Sequence, residues 1–275
     1  MPELPEAEVV AKQLRAAVVG AVVKNCWVGR RDIVREGFDT LDWYSGARIM
    51  GVERRGKSVV LICQRPGEQR YLVAELGMTG LLFFRSPSEA YLKHTHLVLT
   101  LEGGREPELR YWNPRRFGRI HLLDMKGLSA FTAKRFGWDP LAIPFDDFCQ
   151  IVRRRRGRIK ALLMHQQVIA GIGNIYANEI LYRARLHPNR IAHRLSRSTV
   201  RKLYDHMQQV LIQAIEDGGS SVRDFYAPDW TAGTYKKRHL VYGKTGLPCP
   251  SGCGRMIRRL RGERSSFYCP ACQHK

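Results

Sequence analysis

The chain has 275 residues, enough for one large or two medium domains, and +17 of its formal net charge of +21 at pH 7 lies after residue 150. An excess of this size favours a polyanionic partner, most simply nucleic acid, over a protein that is merely basic and soluble. No apolar run reaches the roughly 18–20 residues that span a bilayer, and the acidic N-terminus does not resemble a signal peptide, so membrane-spanning and secreted classes are not expected.

The first predicted element follows an unusual terminus, Met1-Pro2-Glu3-Leu4-Pro5-Glu6. If Met1 is removed, Pro2 carries a free secondary amine. Because an α-amino group has a reference pKa of about 7.7–8.0, a useful fraction of that amine is nucleophilic at neutral pH. Glu3 and Glu6 then place two carboxylates near the amine for acid–base chemistry. The alternative is a disordered terminus followed by a helix that has Pro5 at its first position.

The first half of the chain is predicted to form one helix and a series of short strands. Apolar residues at helical spacing predict a helix from Pro5 to Val19, which Gly20 ends. Eight β-rich runs, separated by turn residues, predict strands over residues 21–28, 47–53, 58–63, 71–75, 80–84, 96–101, 109–112 and 119–123. Many short strands with tight connections indicate an antiparallel sandwich or barrel, with the helix packed against it.

The second half is predicted to be helical. Residues 137–145 are interpreted as a linker, and helices are predicted over residues 146–155, 159–166, 175–184 and 198–217. The arginine run within residues 153–158 indicates a phosphate-facing edge, with a solvated helix face as the alternative. Gly171 and Gly173 precede Asn174 at the start of a predicted helix, an arrangement that suits phosphate binding, although an ordinary helix–helix turn explains the glycines equally well.

Four of the seven cysteines stand near the C-terminus in two pairs, Cys249 with Cys253 and Cys269 with Cys272. Two such pairs separated by a basic segment predict one structural Zn²⁺ ion bound by four thiolates, with paired disulfides as the alternative. A basic hairpin of this kind commonly contacts nucleic acid. The other three cysteines have apolar neighbours in the sequence, which is typical of intracellular proteins.

Four segments occur in a recognisable order: the terminus from Pro2 to Glu6, Asn113-Pro114-Arg115-Arg116-Phe117-Gly118, Gly171-Ile172-Gly173-Asn174-Ile175-Tyr176, and the four cysteines. Together they resemble the bacterial formamidopyrimidine-DNA glycosylase family of base-excision repair enzymes, over nearly the whole chain. Two further segments resemble the subgroup that acts on oxidised purines, namely Gly77-Met78-Thr79-Gly80 and Ser220-Ser221-Val222-Arg223-Asp224-Phe225.

The resemblance implies an α+β multidomain fold: an eight-stranded antiparallel β-sandwich with a flanking helix, a helix–two-turns–helix domain and a C-terminal zinc finger. The implied boundaries are 1–136 for the catalytic sandwich, 137–145 for the linker, 146–240 for the DNA-binding domain with its lesion loop, and 241–275 for the finger. Damaged double-stranded DNA is the implied partner. We expect a monomer in the bacterial cytoplasm, associated with the nucleoid.

The resemblance also implies a bifunctional glycosylase and AP lyase that excises 8-oxoguanine and formamidopyrimidines through a proline iminium and β,δ-elimination. The implied catalytic residues are the nucleophile Pro2, the general acid/base Glu3, Glu6 as a partner of the terminus, and Lys57. Met78, Arg115 and Phe117 are implied to fill the space of the everted nucleotide, and the other implied DNA contacts are Lys160, Asn174, Tyr242 and Arg264. A glycosylase for oxidised pyrimidines and a non-catalytic, zinc-stapled nucleic-acid-binding protein are the alternatives.

The sequence departs from the family pattern at four places. Glu75 replaces a usual histidine, His165 and Asn113 replace usual acids, and the first cysteine pair has one extra residue between its members. Because an acid near a phosphate repels it, Glu75 is predicted to turn away from the DNA strand or to pair with an arginine.

Overall fold

The computed structural model describes residues 2–85, 88–221 and 225–274, which divide into two compact units. The sheet unit consists of Met1–Lys134 with Asp217–Thr234, and the helical unit of Arg135–Glu216 with Tyr235–Lys275. Asp217–Thr234 groups with the sheet unit, where Trp230 packs on Phe83 and Tyr91. Met1 and residues 222–224 of the predicted lesion loop lie outside the described residues.

The described residues form six α-helices: α1 (Leu4–Val18), α2 (Met125–Arg135), α3 (Phe145–Arg154), α4 (Ile159–Met164), α5 (Asn174–Arg183) and α6 (Arg197–Glu216). The five predicted helices are confirmed to within two residues at each end. The sequence prediction lacks α2. In this helix only Leu128 and Phe131 are buried, so no apolar stripe marks it in the sequence.

The described strands of the sheet unit are β1 (Val22–Val28), β2 (Val34–Glu36), β3 (Arg48–Arg55), β4 (Ser58–Arg65), β5 (Glu68–Glu75), β6 (Leu81–Phe83), β7 (Thr95–Glu102), β8 (Glu108–Trp112) and β9 (Ile120–Leu123). All eight predicted strands are confirmed. The sheet has nine strands, one more than the implied eight. The strand that the sequence analysis did not predict is β2, because three residues are too few to produce an alternating pattern. It pairs parallel with β9, so the sheet is not purely antiparallel.

The nine strands are joined in the order β2-β9-β5-β4-β3-β1-β7-β8-β6. A single residue pair, Val22 with Arg48, links β1 to β3 and so connects two halves of the sheet. Buried residues from both halves, such as Leu61 of β4 and Leu99 of β7, belong to one hydrophobic core that also contains Leu14 of α1. The halves therefore pack as a sandwich around this core, and α1 closes it.

Two arginine contacts fix the direction of α1 on the sheet. Arg54, at the end of β3, forms a largely buried ion pair of 2.8 Å with Glu8, near the start of α1. Farther along the helix, the Arg15 guanidinium donates two hydrogen bonds to the carbonyl of Val52. The N-terminus of α1 consequently points toward the β3–β4 turn, which contains Lys57.

The helical unit is organised around a buried carboxylate. Glu179 of α5 is fully buried and accepts backbone N–H bonds of 2.8–3.0 Å from Leu240, Val241 and Tyr242. Burial raises the pKa of this carboxyl above its ordinary value, and the three N–H donors act in the opposite direction. The segment that leads into the cysteine-containing C-terminus is thereby attached to α5.

That C-terminal part contains a short antiparallel hairpin of β10 (Arg258–Leu260) and β11 (Ser266–Tyr268). The three cysteines that precede the C-terminal part of the chain, Cys26, Cys63 and Cys149, are buried. Burial is the main cause that raises the pKa values of Cys26 and Cys63 to about 12. Across the described residues, no helix has the length and apolar character needed to cross a membrane.

We predict that Glu179→Ala lowers the free energy of unfolding by about 3 kcal/mol, because three buried or partly buried N–H groups lose their acceptor. Chemical denaturation followed by circular dichroism measures the change. Lys202→Ala, an exposed position on α6, is the control and is expected to stay within about 0.5 kcal/mol of the parent. Equal stability of both variants would show that the carboxylate does not support this segment.

Candidate functional site

The predicted catalytic terminus is a closely bonded cap on α1. Pro2, Glu3 and Glu6 are all buried, with Glu3 and Glu6 exposing 2% and 1% of their surface. The Glu3 carboxylate accepts the N–H of Glu6, and Glu6 Oε2 accepts the N–H of Glu3 at 2.7 Å. This reciprocal capping box satisfies two N–H groups at the helix start and fixes the backbone immediately after Pro2.

The second oxygen of Glu6 makes a contact that the sequence analysis missed. Glu6 Oε1 accepts the N–H of Ser220 at 2.6 Å, across 214 residues of sequence. Gly219 adopts a φ of +83°, and a Cβ there would lie 2.9 Å from Glu6 Oε1, so only glycine allows this approach. The glycine pair Gly218-Gly219 is the one signal in the sequence that marks the place, and it directly follows the helix predicted over residues 198–217.

Lys57 occupies the β3–β4 turn between Arg55 and Ser58. The turn depends on Gly56, which has a φ of +59°. Since the N-terminus of α1 points toward this turn, the structure places Lys57 at the same end of the sheet unit as Pro2 and Glu3. Lys57 is partly exposed, so its ammonium can extend toward solvent.

The three residues predicted to fill the space of an everted nucleotide lie on two loops that touch. Met78 and Phe117 are exposed by 41% and 59%, and Arg115 is also exposed. The guanidinium carbon of Arg115 lies 4.9 Å from the centre of the Phe117 ring, in cation–π geometry. A Cβ on Gly77 would lie 2.4 Å from the backbone nitrogen of Gly118, so the loops meet through glycines. The fold thus brings the loops that carry Met78, Arg115 and Phe117 together, with all three side chains exposed.

Asn113 holds both of these loops. It is completely buried, and its Oδ1 accepts the N–H of Arg116 at 3.0 Å and the hydroxyl of Thr79 at 3.3 Å. Its Nδ2 donates to the hydroxyl of Tyr111, which in turn donates to the carbonyl of Glu75. An amide can both donate and accept here, whereas an ionised acid could only accept. The departure at Asn113 is therefore compatible with ordered loops.

Glu75, the second departure, contacts a histidine. Its Oε2 lies 3.0 Å from Nε2 of the completely buried His121, and Glu36 lies 3.5 Å from the other ring nitrogen. The prediction offered a turn away from the DNA or an arginine partner, and the contact found here is the imidazole of His121. This carboxylate is held within the sheet unit by β9.

In the helical unit the predicted DNA contacts converge on the start of β11. The ammonium of Lys160 donates to the carbonyl of Ser265 and the hydroxyl of Ser266, at 2.8 and 2.9 Å. Lys160 is only 6% exposed, so it links α4 to the hairpin, and its phosphate contact stays a prediction. Arg264 is exposed in the β10–β11 turn, directly before these serines.

Asn174 and Tyr242 reach the same strand. Asn174 begins α5, and its carbonyl and side-chain oxygens accept bonds from Asn178 Nδ2. The Asn178 oxygen accepts the N–H of Phe267 at 2.7 Å, and the Phe267 ring lies 5.2 Å from the ring of Tyr242. Lys160 and Tyr242 contact β11 or the residue before it, Asn174 is connected to β11 through Asn178, and Arg264 is the most exposed of the four.

The arginine run forms a second basic surface of the helical unit. Arg153, Arg154, Arg155, Arg156 and Arg158 are all exposed, and none forms an ion pair within the described part of the chain. Backbone bonds join residues 155–159 to residues 190–193, through His193 to Arg155 and Ala192 to Gly157 at 3.0 Å each. Arg153 and Arg154 end α3, while Arg155, Arg156 and Arg158 lie in the loop that these bonds order.

The four C-terminal cysteines form one cluster, in which all sulfur atoms lie within 4.8 Å of one another. Cys249 and Cys272 are separated by 3.8 Å, and Cys253 and Cys269 by 3.4 Å, between their sulfur atoms. Around a tetrahedral ion with bonds of about 2.3 Å, sulfur atoms lie about 3.8 Å apart. The extra residue of the first pair is accommodated by Gly252, at a φ of +73°. The cluster fits a tetrahedral metal ion.

Comparisons with known proteins agree with this arrangement. A model of the formamidopyrimidine-DNA glycosylase N-terminal domain matches residues 1–120, and a model of the H2TH domain of the same glycosylase matches residues 136–226. The chain is 39% identical to the formamidopyrimidine-DNA glycosylase of Solibacter usitatus over 278 aligned positions, which cover 100% of both proteins.

Solved structures give the same result. The crystal structure of the MutM (Fpg) protein from Thermus thermophilus has a TM-score of 0.86 and 37% identity, covering 99% of this chain and 98% of that one. A Lactococcus lactis Fpg mutant bound to DNA that contains Fapy-dG has a TM-score of 0.87 and 32% identity, covering 100% of both chains. The resemblance inferred from the sequence is confirmed, and the chain belongs to the formamidopyrimidine-DNA glycosylase family.

Proposed function

We propose that this protein excises oxidised purines, 8-oxoguanine and formamidopyrimidines, from duplex DNA and then cleaves the strand at the resulting site. The observation that carries the proposal is the buried cap after Pro2, in which the Glu3 and Glu6 carboxylates hold the backbone beside the terminal amine. Family membership supports the reaction class, and the relative bound to Fapy-dG DNA supports the substrate class.

The chemistry follows from a secondary amine at Pro2. Its lone pair attacks the anomeric carbon of the damaged nucleotide, and the bond to the base breaks as the base leaves with a proton. The amine loses its proton, the bond between the anomeric carbon and the ring oxygen breaks, and the ring oxygen takes a proton from Glu3, which leaves an iminium between Pro2 and the sugar. Its permanent positive charge acidifies the adjacent sugar carbon and allows β- and then δ-elimination of the two phosphates. Glu3 supplies and accepts protons during ring opening, and Glu6 positions Glu3 through its backbone N–H.

The proposed DNA contacts fall into two groups. Lys57, Tyr242, Arg264 and the exposed arginine run contact backbone phosphates, while Asn174 and Lys160 order the strand end that presents Arg264. Met78, Arg115 and Phe117 fill the space that the everted nucleotide leaves: a flexible apolar side chain, a donor for the orphaned base and a stacking ring. We further propose that the protein acts as a monomer on the chromosome in the bacterial cytoplasm.

We propose zinc as the ion of the four-cysteine cluster. Cys249, Cys253, Cys269 and Cys272 would hold it, because thiolates at these separations suit tetrahedral Zn²⁺. When bound, the ion supplies structural cross-linking and no chemistry of the reaction. The hairpin that carries Arg264 is then held in position for a phosphate.

The first prediction from this function concerns the terminal amine. A residue added before Pro2 converts the amine into an amide, so we expect no base excision and no covalent adduct with lesion DNA on borohydride reduction. Binding to DNA that contains an abasic-site analogue is expected to stay within about threefold, since phosphate contacts dominate affinity. A blocked protein that excises and crosslinks normally would contradict this mechanism.

Glu3→Gln provides the matched test of proton transfer. The amide retains an oxygen that accepts the N–H of Glu6, so the helix cap is preserved while the acid is lost. We expect single-turnover excision to slow by roughly 10²–10⁴-fold with binding preserved. Excision at the parent rate would remove Glu3 from the mechanism.

A second prediction concerns the arginine loop. Replacing Arg155, Arg156 and Arg158 together with glutamine is expected to reduce the slope of log affinity against log salt by roughly 2–3, because about 0.9 counterion is released per phosphate contact. Fluorescence anisotropy with undamaged duplex at several salt concentrations measures the slope.

The control for this triple variant has the same change in charge. Lys12, Arg35 and Arg105 are exposed on the sheet unit, and their joint replacement by glutamine is expected to change the slope by less than about 1. Equal losses in the two triple variants would show that net charge, and not a contact surface, determines binding.

A third prediction concerns the metal. Native protein is expected to contain about one equivalent of zinc, and Cys269→Ser is expected to lose both zinc and tight DNA binding while the sheet unit stays folded. Elemental analysis and anisotropy measure the two losses, with Cys149→Ala, outside the cluster, as the control. Less than about half an equivalent in native protein, or full affinity in Cys269→Ser, would contradict the assignment.

A further inference from the structure

The segment Asp217–Thr234 belongs to the sheet unit, and the two ends of this loop segment, residues 217–221 and 233–234, are joined. The N–H of Thr234 donates to the carbonyl of Asp217 at 2.8 Å, and the N–H of Gly233 donates to the Ser221 hydroxyl at 2.9 Å. A Cβ on Gly233 would lie 2.2 Å from the carbonyl oxygen of Gly219, so the two chain ends are in direct contact. We call the residues 217–221 and 233–234 the neck of this loop.

The neck is bonded to the catalytic terminus. Glu6 accepts the N–H of Ser220 with one carboxylate oxygen and the N–H of Glu3 with the other. The neck therefore lies directly beside the carboxylate that fixes Glu3. The loop itself contributes neither the proposed nucleophile nor the proposed acid, so its placement matters for whatever enters beside them.

The far end of the loop is a tight turn with an unusual residue. The N–H of Trp230 donates to the carbonyl of Ala227 at 2.8 Å, and the N–H of Ala227 donates to the carbonyl of Thr231 at 2.9 Å. Pro228 and Asp229 are the central residues, and Trp230 follows them with a φ of +68°. Glycine is the usual residue there, because a left-handed backbone is strained for a bulky side chain.

The strained tryptophan is held by an aromatic clasp. Its ring lies 4.8 Å from Phe83, 4.6 Å from Tyr91 and 5.7 Å from Tyr226, measured between centroids. Its indole N–H donates to the carbonyl of Arg85 at 2.6 Å. We define the aromatic clasp as Trp230 with these three rings. A glycine would adopt the backbone easily but could form none of these contacts.

Two polar contacts extend the attachment. The N–H of Phe84 donates to the carbonyl of Pro228 at 3.2 Å, and Gln13 of α1 exchanges hydrogen bonds with the backbone and carboxylate of Asp229. The far end of the loop is thus fixed to β6 and to α1, while its neck is fixed to Glu6. Strain that the surrounding structure maintains points to a functional placement of the segment.

We propose that Trp230 is a positioning residue for recognition of the damaged base. The aromatic clasp fixes the far end of the loop and so keeps the neck beside the catalytic terminus. This inference rests on the proposed function. It predicts a division between two substrates, because an intact damaged base must fit against this neck before excision, whereas an abasic site has no base to place. Strand cleavage at an abasic site needs only the amine, the acid and the phosphate contacts.

The test compares two duplexes of identical sequence, one with 8-oxoguanine opposite cytosine and one with an abasic site, under single-turnover conditions. Trp230→Gly removes the ring and the strain, and Trp230→Ala removes the ring alone. For both we expect excision of 8-oxoguanine to slow by at least about tenfold, with abasic-site cleavage within about twofold of the parent. Trp230→Phe, which keeps one ring in the clasp, is expected to recover most of the excision.

Trp43→Ala is the matched control. Trp43 is a partly buried tryptophan of the same unit that meets Tyr44 edge to face and donates a hydrogen bond to Glu68. It is expected to leave the ratio of excision to abasic-site cleavage unchanged. Hydrogen exchange within residues 225–234 is expected to accelerate in Trp230→Gly and not in Trp43→Ala.

The positioning role would be overturned if Trp230→Gly slowed both reactions equally. It would also be overturned if the ratio of 8-oxoguanine excision to abasic-site cleavage in this variant equalled that of the parent. A parent protein that performs neither reaction would contradict the proposed function itself, and the positioning role would be rejected with it. A parent that performs both reactions while Trp230→Gly loses excision alone supports the inference.

Discussion

The Glu6 carboxylate is the constraint on which the proposed site depends. One oxygen holds the N–H of Glu3 and the other holds the N–H of Ser220, so a single buried side chain joins the first turn of α1 to a segment more than 200 residues later. A buried carboxylate is costly unless its oxygens accept hydrogen bonds, and here both do. The same bonds that make its burial tolerable also fix the backbone after Pro2.

Much of the fold could be predicted from the sequence, since it depends on periodic burial. Strands such as β3 and β7 alternate buried and exposed residues, and α6 buries Val200, Leu203 and Met207 on one face. Elements without such periodicity were not predicted: β2 has only three residues, and α2 buries only two of its residues. The placement of Asp217–Thr234 escaped as well, because its rings and carboxylate partner are distant in the sequence.

Residue type pointed to the terminus and the cysteines, and the family resemblance implied the other residues of the candidate site, but neither predicted the partners of those residues. A lysine in a basic segment indicates a phosphate contact, yet Lys160 is buried against Ser265 and Ser266. Asn113 stands where the family usually has an acid, and its amide connects Thr79, Arg116 and Tyr111 through bonds in both directions. Such roles depend on which side chains fold against each other, and spacing along the chain does not encode them.

The burial of Cys26 and Cys63 has a consequence for the conditions under which such a protein would work. The thiolate is the form of cysteine that peroxides attack, and a pKa of about 12 leaves almost none of it at neutral pH. Oxidised purines accumulate under the same oxidants. The core of the sheet unit therefore offers those oxidants almost no thiolate at these two positions.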